Sequence, residues 1–284
     1  MTESGGERAV APPAVRSIDA GGGVALLYRA WEVDRPRARM RIVHGLGEHG
    51  GRYAPLAGAL VERGISCYAA DLRGHGVSGG RRGHVGRFEE YVDDLQRLTT
   101  ATRGDEPAFL FGHSLGGLIA VRAMQTGLAG DLEGAILSAP ALELASPLPW
   151  WRDPAASLLS RLAPTIALPN GIDPDDLSHD PEAVAAYRTD PLVHDRITPR
   201  LFSEMRRAMR AAAAEAGKVR VPVLLLAPGE DRITDVDSAV WVADRFYGEV
   251  RIRTYPHLYH EPLQEVEGGA ILGEVVEWVE GKLS

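Results

Sequence analysis

Polar and apolar positions alternate along this chain in two rhythms. Short apolar runs read as strands. Longer stretches with an apolar residue every third or fourth position read as helices. Residues 15–19 and 24–31 flank Gly21-Gly22-Gly23 and predict a hairpin, an element suited to the antiparallel edge of a mixed sheet. The pattern then predicts strand 39–43, helix 53–63, strand 66–71, helix 88–102, strand 108–111, helix 118–125 and strand 134–138. Leu56, Leu60 and Val61 mark the inner face of the first helix, and Phe88, Tyr91, Val92, Leu95 and Leu98 that of the second. Strand and helix in strict succession imply a parallel sheet covered on both faces.

The rhythm breaks between 141 and 217, where no strand-like run appears. Prolines sit at the joints (Pro147, Pro149, Pro154, Pro164), and helical pieces follow one another up to a long helix at 199–216. Alternation resumes with strand 221–227, helix 235–246, strand 250–255 and helix 267–283. The expected organisation is a mobile arm at 1–14, an α/β core at 15–140 and 218–284, and a helical lid or cap inserted at 141–217. Tyr187, Leu192 and the other apolar residues of the insertion argue against a disordered linker.

Composition narrows the partners. The 284 residues carry 31 Lys+Arg against 39 Asp+Glu, a net charge of −8 that disfavours nucleic acid. The single cysteine, Cys67, allows neither an internal disulfide nor a metal cluster and reads as a buried thiol. The first residues, MTESGGERAVAPPAV, have no apolar core of a signal peptide, and no apolar run approaches the roughly 18 residues needed to span a bilayer. A cytoplasmic protein is expected.

The chemistry centres on Gly112-His113-Ser114-Leu115-Gly116-Gly117, which sits between a predicted strand and a predicted helix. This is G-x-S-x-G in the context that makes it a nucleophile elbow. The turn leaves no room for side chains at Gly112 or Gly116, and Ser114 is expected in a strained conformation. A serine hydroxyl needs a base, and the base an orienting acid, following in that chain order on loops at the carboxyl ends of strands. Strand 221–227 leads to Asp231, the candidate acid. Strand 250–255 leads to Pro256-His257-Leu258-Tyr259-His260, which offers two histidines. Leu115, next after the nucleophile, would supply one oxyanion amide.

The chain resembles the monoacylglycerol lipase and lysophospholipase group of the α/β-hydrolase superfamily. The resemblance rests on H-G-L-G-E-H-G-G-R-Y (44–53), D-L-R-G-H-G-V-S-G-G (71–80), G-H-S-L-G-G (112–117), D-P-E-A-V-A-A-Y-R-T-D-P-L-V-H (180–194) and Y-P-H-L-Y-H-E (255–261). It implies an α/β-hydrolase fold, with a mostly parallel, eight-stranded sheet covered by helices on both faces and a helical lid. It selects His260 over His257 and places the second oxyanion amide at Leu46. It sets Glu48 and Arg52 near the alcohol end of the substrate, the alternative being an ion pair at the start of a helix. Leu263 stands where the mammalian relatives have a histidine.

The expected activity is hydrolysis of a monoacylglycerol through an acyl-enzyme on Ser114, with neither metal nor organic cofactor. Trp150, Trp151, Leu158 and Leu159 of the lid are candidates for the wall around the acyl chain; exposed, they would rest on a membrane or micelle surface. The alternatives are a lysophospholipase, a small-ester carboxylesterase, a thioesterase, a proline-type aminopeptidase or a non-catalytic ligand-binding homologue of the same fold. Dehalogenases and epoxide hydrolases of this fold use Asp where Ser114 stands.

Overall fold

The computed structural model describes residues 12–127, 132–145 and 152–284, the side chains of 152–156 excepted. The hairpin of β1 (Ala14–Asp19) and β2 (Ala25–Trp31) opens the chain. Then come β3 (Ala38–Val43), α1 (Ala54–Val61), β4 (Ile65–Ala70), α2 (Glu89–Ala101), β5 (Ala108–His113), α3 (Leu115–Gln125) and β6 (Gly134–Ser138). These are the elements read from the pattern, with ends shifted by a residue or a few. The arm at 1–14 lies outside the described residues as far as residue 11, and Ala14 already belongs to β1.

The insertion holds α4 (Arg152–Leu162), β7 (Leu168–Pro169), α5 (Pro181–Thr189), β8 (Arg196–Ile197) and α6 (Pro199–Ala214). It is not wholly helical, since β7 and β8 pair antiparallel. Strands of two residues are too short to leave an alternation in the sequence. Thr198 caps α6, its hydroxyl accepting from the Leu201 amide at 3.2 Å, and Pro199 occupies the first turn. The inner face of α6 (Leu201, Met205, Ala208, Met209, Ala212) packs in the same cluster as Leu118 and Val121 of α3. The chain closes with β9 (Val223–Pro228), α7 (Val236–Ala243), β10 (Val250–Tyr255) and α8 (Gly268–Lys282).

The main sheet has eight strands in the order β1-β2-β4-β3-β5-β6-β9-β10. Pairing is antiparallel from β1 through β2 to β4 and parallel thereafter. Its strands β5, β6 and β9 are almost wholly apolar because both faces are covered, while β3 carries Arg39 and Arg41. Successive residues of β5 point to opposite sides. Phe109 and Phe111 join Leu56 and Leu60 of α1 and Ile271 and Val275 of α8, whereas Leu110 joins Leu95 and Leu98 of α2 and Leu118 of α3. Cys67 is free and buried. Among the described residues no helix is long and apolar enough to cross a membrane.

The carboxyl ends of β3, β4, β5, β9 and β10 all carry loops at one end of the sheet. Asp71, after β4, braces that end. Its buried carboxylate accepts from the Gly50 amide (2.9 Å), the Val77 amide (2.9 Å) and the Arg29 guanidinium (2.6 Å). Asp71→Ala leaves two amides, that of Gly50 buried, and the Arg29 cation without their acceptor, and should lower unfolding free energy by about 3–5 kcal/mol. Urea denaturation measures it; a loss under about 1 kcal/mol would contradict this account of the brace.

Candidate active site

Ser114 joins β5 to α3 with φ 51° and ψ −117°, a conformation an L-residue adopts only under constraint. The constraint is backbone crowding. A Cβ on Gly112 would lie 2.5 Å from the Gly116 carbonyl oxygen, and one on Gly116 only 2.1 Å from that of Val43. The Ser114 amide donates to the Ser138 carbonyl at 3.0 Å, and its carbonyl accepts from the Ala141 amide at 3.0 Å. Ala139, at the end of the adjacent strand, also has positive φ (41°) and donates to the Leu226 carbonyl at 3.0 Å. The elbow is thus stitched to the ends of β6 and β9.

Asp231 follows β9 and His260 follows β10. His260 Nδ1 lies 2.7 Å from Asp231 Oδ2. The other Asp231 oxygen accepts from the Ile233 and Thr234 amides at 2.8 and 2.9 Å, and the Thr234 hydroxyl donates to Oδ2 at 2.6 Å. Burial raises the Asp231 carboxyl, but His260 and these donors outweigh it and hold it below its ordinary value. Burial likewise disfavours a charged His260, yet the Asp231 carboxylate outweighs it and the imidazole pKa is raised. The His260 ring lies 4.8 Å from that of His113, the residue before Ser114. Burial and then His260 push His113 down to about 3, so it remains neutral. Of these two touching imidazoles only His260 has a carboxylate partner. His257 is 89% exposed and 3.8 Å from Glu230, away from Asp231.

The loop after β3 runs past the serine. A Cβ on Gly45 would be 3.2 Å from that of Ser114. Among the described residues neither the Leu46 nor the Leu115 amide donates to another backbone or side-chain acceptor. Leu115 is the first residue of α3, where amides lack an intrahelical partner. His44 holds the loop rather than reacting: Nδ1 faces the Gly45 carbonyl at 2.8 Å and Nε2 accepts from the Leu72 amide at 2.8 Å.

Glu48 and Arg52 do not wait open for a ligand. Glu48 Oε1 accepts from the Gly45 amide (2.5 Å) and the Tyr53 hydroxyl (2.8 Å), and Oε2 from Arg52 (2.8 Å). Arg52 also grips both oxygens of Glu261 at 2.6 Å and lies over the Tyr187 ring. Burial alone would raise the Glu48 carboxyl, but Arg52 beside it brings it down to about 2. Both side chains are nearly buried. Their visible work is to link the loop after β3 to the residue after His260. This ion pair was the alternative reading of the two residues in the sequence. Glu261, whose carboxylate completes it, closes the Y-P-H-L-Y-H-E stretch, though that stretch does not show its pairing with Arg52; Thr234 and Ala139 left no periodicity or motif to find.

Of the candidates for the acyl-chain wall, Leu158 and Leu159 on α4 are 57% and 44% exposed. Trp150 and Trp151 lie outside the described residues. Among the described residues no cluster of His, Cys, Asp or Glu could hold a metal ion.

Residues 34–267 match the family described as serine aminopeptidase, S33. A monoacylglycerol lipase of Mycolicibacterium smegmatis is 35% identical over 267 residues, which are 91% of this chain and 94% of that one. This chain belongs to that family, as a monoacylglycerol lipase-like serine hydrolase. The hydrolase is also similar to a phospholipase of Bacillus subtilis, at 30% identity over 84% of this chain and 93% of that one. Among solved structures, the monoacylglycerol lipase of Paleococcus ferrophilus superposes on it with a TM-score of 0.84 at 35% identity, over 90% of this chain and 99% of that one.

The contrast between the two imidazoles is measurable. In a histidine-labelled NMR titration of the hydrolase, His260 should show a midpoint above about 6.5, the ordinary imidazole value. Asp231→Asn removes the opposing carboxylate, so burial prevails and the midpoint should fall below that value. An unchanged midpoint in the variant would contradict the assignment of the shift to Asp231.

Proposed function

We propose that the chain hydrolyses monoacylglycerols. Ser114 is the nucleophile, His260 the general base and acid, and Asp231 the group that orients the imidazole and stabilises its charged form. Ser114 Oγ attacks the ester carbonyl as His260 takes its proton. The oxyanion receives hydrogen bonds from the Leu46 and Leu115 amides, each worth about 2.7–4 kcal/mol in the transition state. His260 then gives its proton to the departing glycerol oxygen. Neutral again, it activates water, which splits the acyl-enzyme and frees the fatty acid. Each proton taken by His260 is returned, so the cycle needs no cofactor.

The observation that carries the substrate is the 35% identity, over more than nine-tenths of both chains, to a monoacylglycerol lipase. The match to a phospholipase supports a second reading, a lysophospholipid, which offers the same single acyl ester under a larger head. Glu48 and Arg52 act on the substrate indirectly in this proposal, Glu48 holding the Gly45 amide and with it the loop that carries Leu46. The insertion acts as a lid. Leu158, Leu159, Leu162, Ile166 and Leu168 are all exposed on it, a grouping that supports contact with a membrane or micelle where such substrates dissolve. A peripheral position on the cytoplasmic side of a membrane fits both features.

Steady-state hydrolysis of mono-oleoylglycerol, triolein, lyso-phosphatidylcholine, a short p-nitrophenyl ester and a prolyl anilide tests the assignment. The monoglyceride should lead, and Ser114→Ala should lower kcat by about 10⁴-fold or more. Leading activity on the prolyl anilide or on the short ester alone would refute the lipase reading. Leu162→Glu with Ile166→Glu should reduce hydrolysis of vesicle-borne monoglyceride several-fold while leaving the short ester unaffected. Equal rates on vesicles would remove the membrane contact.

A further inference from the structure

The loop that carries His260 has little support of its own. It follows β10, the last strand of the sheet, whose residues alternate between half-buried and exposed. One side of the loop faces the core. The other meets the insertion, in the turn from Asp176 to His179, whose bonds run to Arg232 beside Asp231, to Glu261 beside His260, and to Gln264 and Glu265 further along the loop. The Glu261 amide donates to the Leu177 carbonyl at 2.9 Å. The Tyr259 amide donates to Glu265 Oε1 at 2.9 Å. The residues immediately before and after His260 are therefore both tied down.

Glu265 is the hub. Its side chain is 1% exposed. Besides the Tyr259 amide it faces His179 Nδ1 at 3.0 Å and accepts from the His179 amide at 2.9 Å and the Ser178 hydroxyl at 3.3 Å. The ring of His179 stacks on that of Tyr259, centroids 3.7 Å apart. Arg232 covers the Tyr259 ring at 4.6 Å, donates to its hydroxyl at 2.9 Å and pairs with Asp176 at 2.9 Å. Arg232 is the neighbour of Asp231. One turn of the insertion thus touches the flanks of both residues.

We propose that Glu265, with the Asp176–His179 turn, is a mount that positions His260 against Asp231, making Glu265 a positioning residue for the reaction. The inference rests on the roles given above to Ser114, Asp231 and His260. A buried carboxylate with this many donors fixes atoms closely, because leaving any donor unpaired costs free energy. A misplacement of about 1 Å at a reacting group can cost about 100-fold in rate. The insertion is then part of the catalytic frame as well as a cover.

The test compares wild type, Glu265→Gln and Ser114→Ala on a short p-nitrophenyl ester across pH. Glutamine keeps the size of Glu265 but replaces one accepting oxygen with a donor. The mount requires kcat to fall about 10- to 100-fold with KM within about twofold. It also requires the acidic limb of kcat/KM to move to lower pH. His260 faces the carboxylates of Asp231, Glu261 and Glu48 and the ring of His113; drawn away from Asp231, it loses the strongest influence that raises it. A role in stability alone would lower Tm and leave kcat and the limb in place, which overturns the proposal. Should Glu265→Gln not fold, His179→Phe keeps a ring on Tyr259 but deletes the side-chain bond to Glu265, and the same two readouts decide. Full activity in Ser114→Ala would instead overturn the nucleophile assignment, and the inference with it.

Discussion

Where β5 turns into α3 there is no space for a side chain. The Val43 carbonyl oxygen stands 2.1 Å from where a Cβ of Gly116 would be, and the Gly116 oxygen stands 2.5 Å from that of Gly112. This crowding holds Ser114 at positive φ. It also brings the start of α3 against the end of β3, and the loop after β3 passes beside Ser114 at Gly45. Each later part of the site is built onto that turn. Ser138 and Ala141 bond the Ser114 peptide, Ala139 bonds β9, and β9 delivers Asp231.

Buried carboxylates tie together the loops around the elbow. Asp71 holds the loop after β4 and the Gly50 amide. Glu48 holds the Gly45 amide and, through Arg52, reaches Glu261. Asp231 holds His260. Backbone amides in irregular loops need acceptors when buried, and an ionised carboxylate supplies two oxygens from a single side chain. The loop end of this sheet is polar for that reason, though the strands below it are apolar almost throughout.

The sheet and its helices were legible because their periodicities are strong. Phe109 and Phe111 against Leu110 mark the two faces of β5, and Leu95 and Leu98 mark the inner face of α2. The elbow was legible because its glycines are a steric necessity. His260 was harder. Two histidines follow β10, and periodicity does not separate a buried one from an exposed one three residues earlier; the resemblance did. Glu265 was invisible for a different reason. It works with His179, far away in sequence, so no local pattern marks it. The β7–β8 ribbon was missed because two residues cannot show an alternation.

The central claim is that the strained serine is the nucleophile of a working hydrolase. A fluorophosphonate reacts with a serine whose proton has a base to accept it and whose oxyanion has donors to receive it. Mass spectrometry of the intact protein after such treatment, followed by peptide mapping, tests the claim most directly. The account requires one phosphonyl group per chain, located on Ser114, with hydrolysis lost in step with labelling. An adduct on any other residue, or undiminished hydrolysis by fully labelled protein, would contradict it.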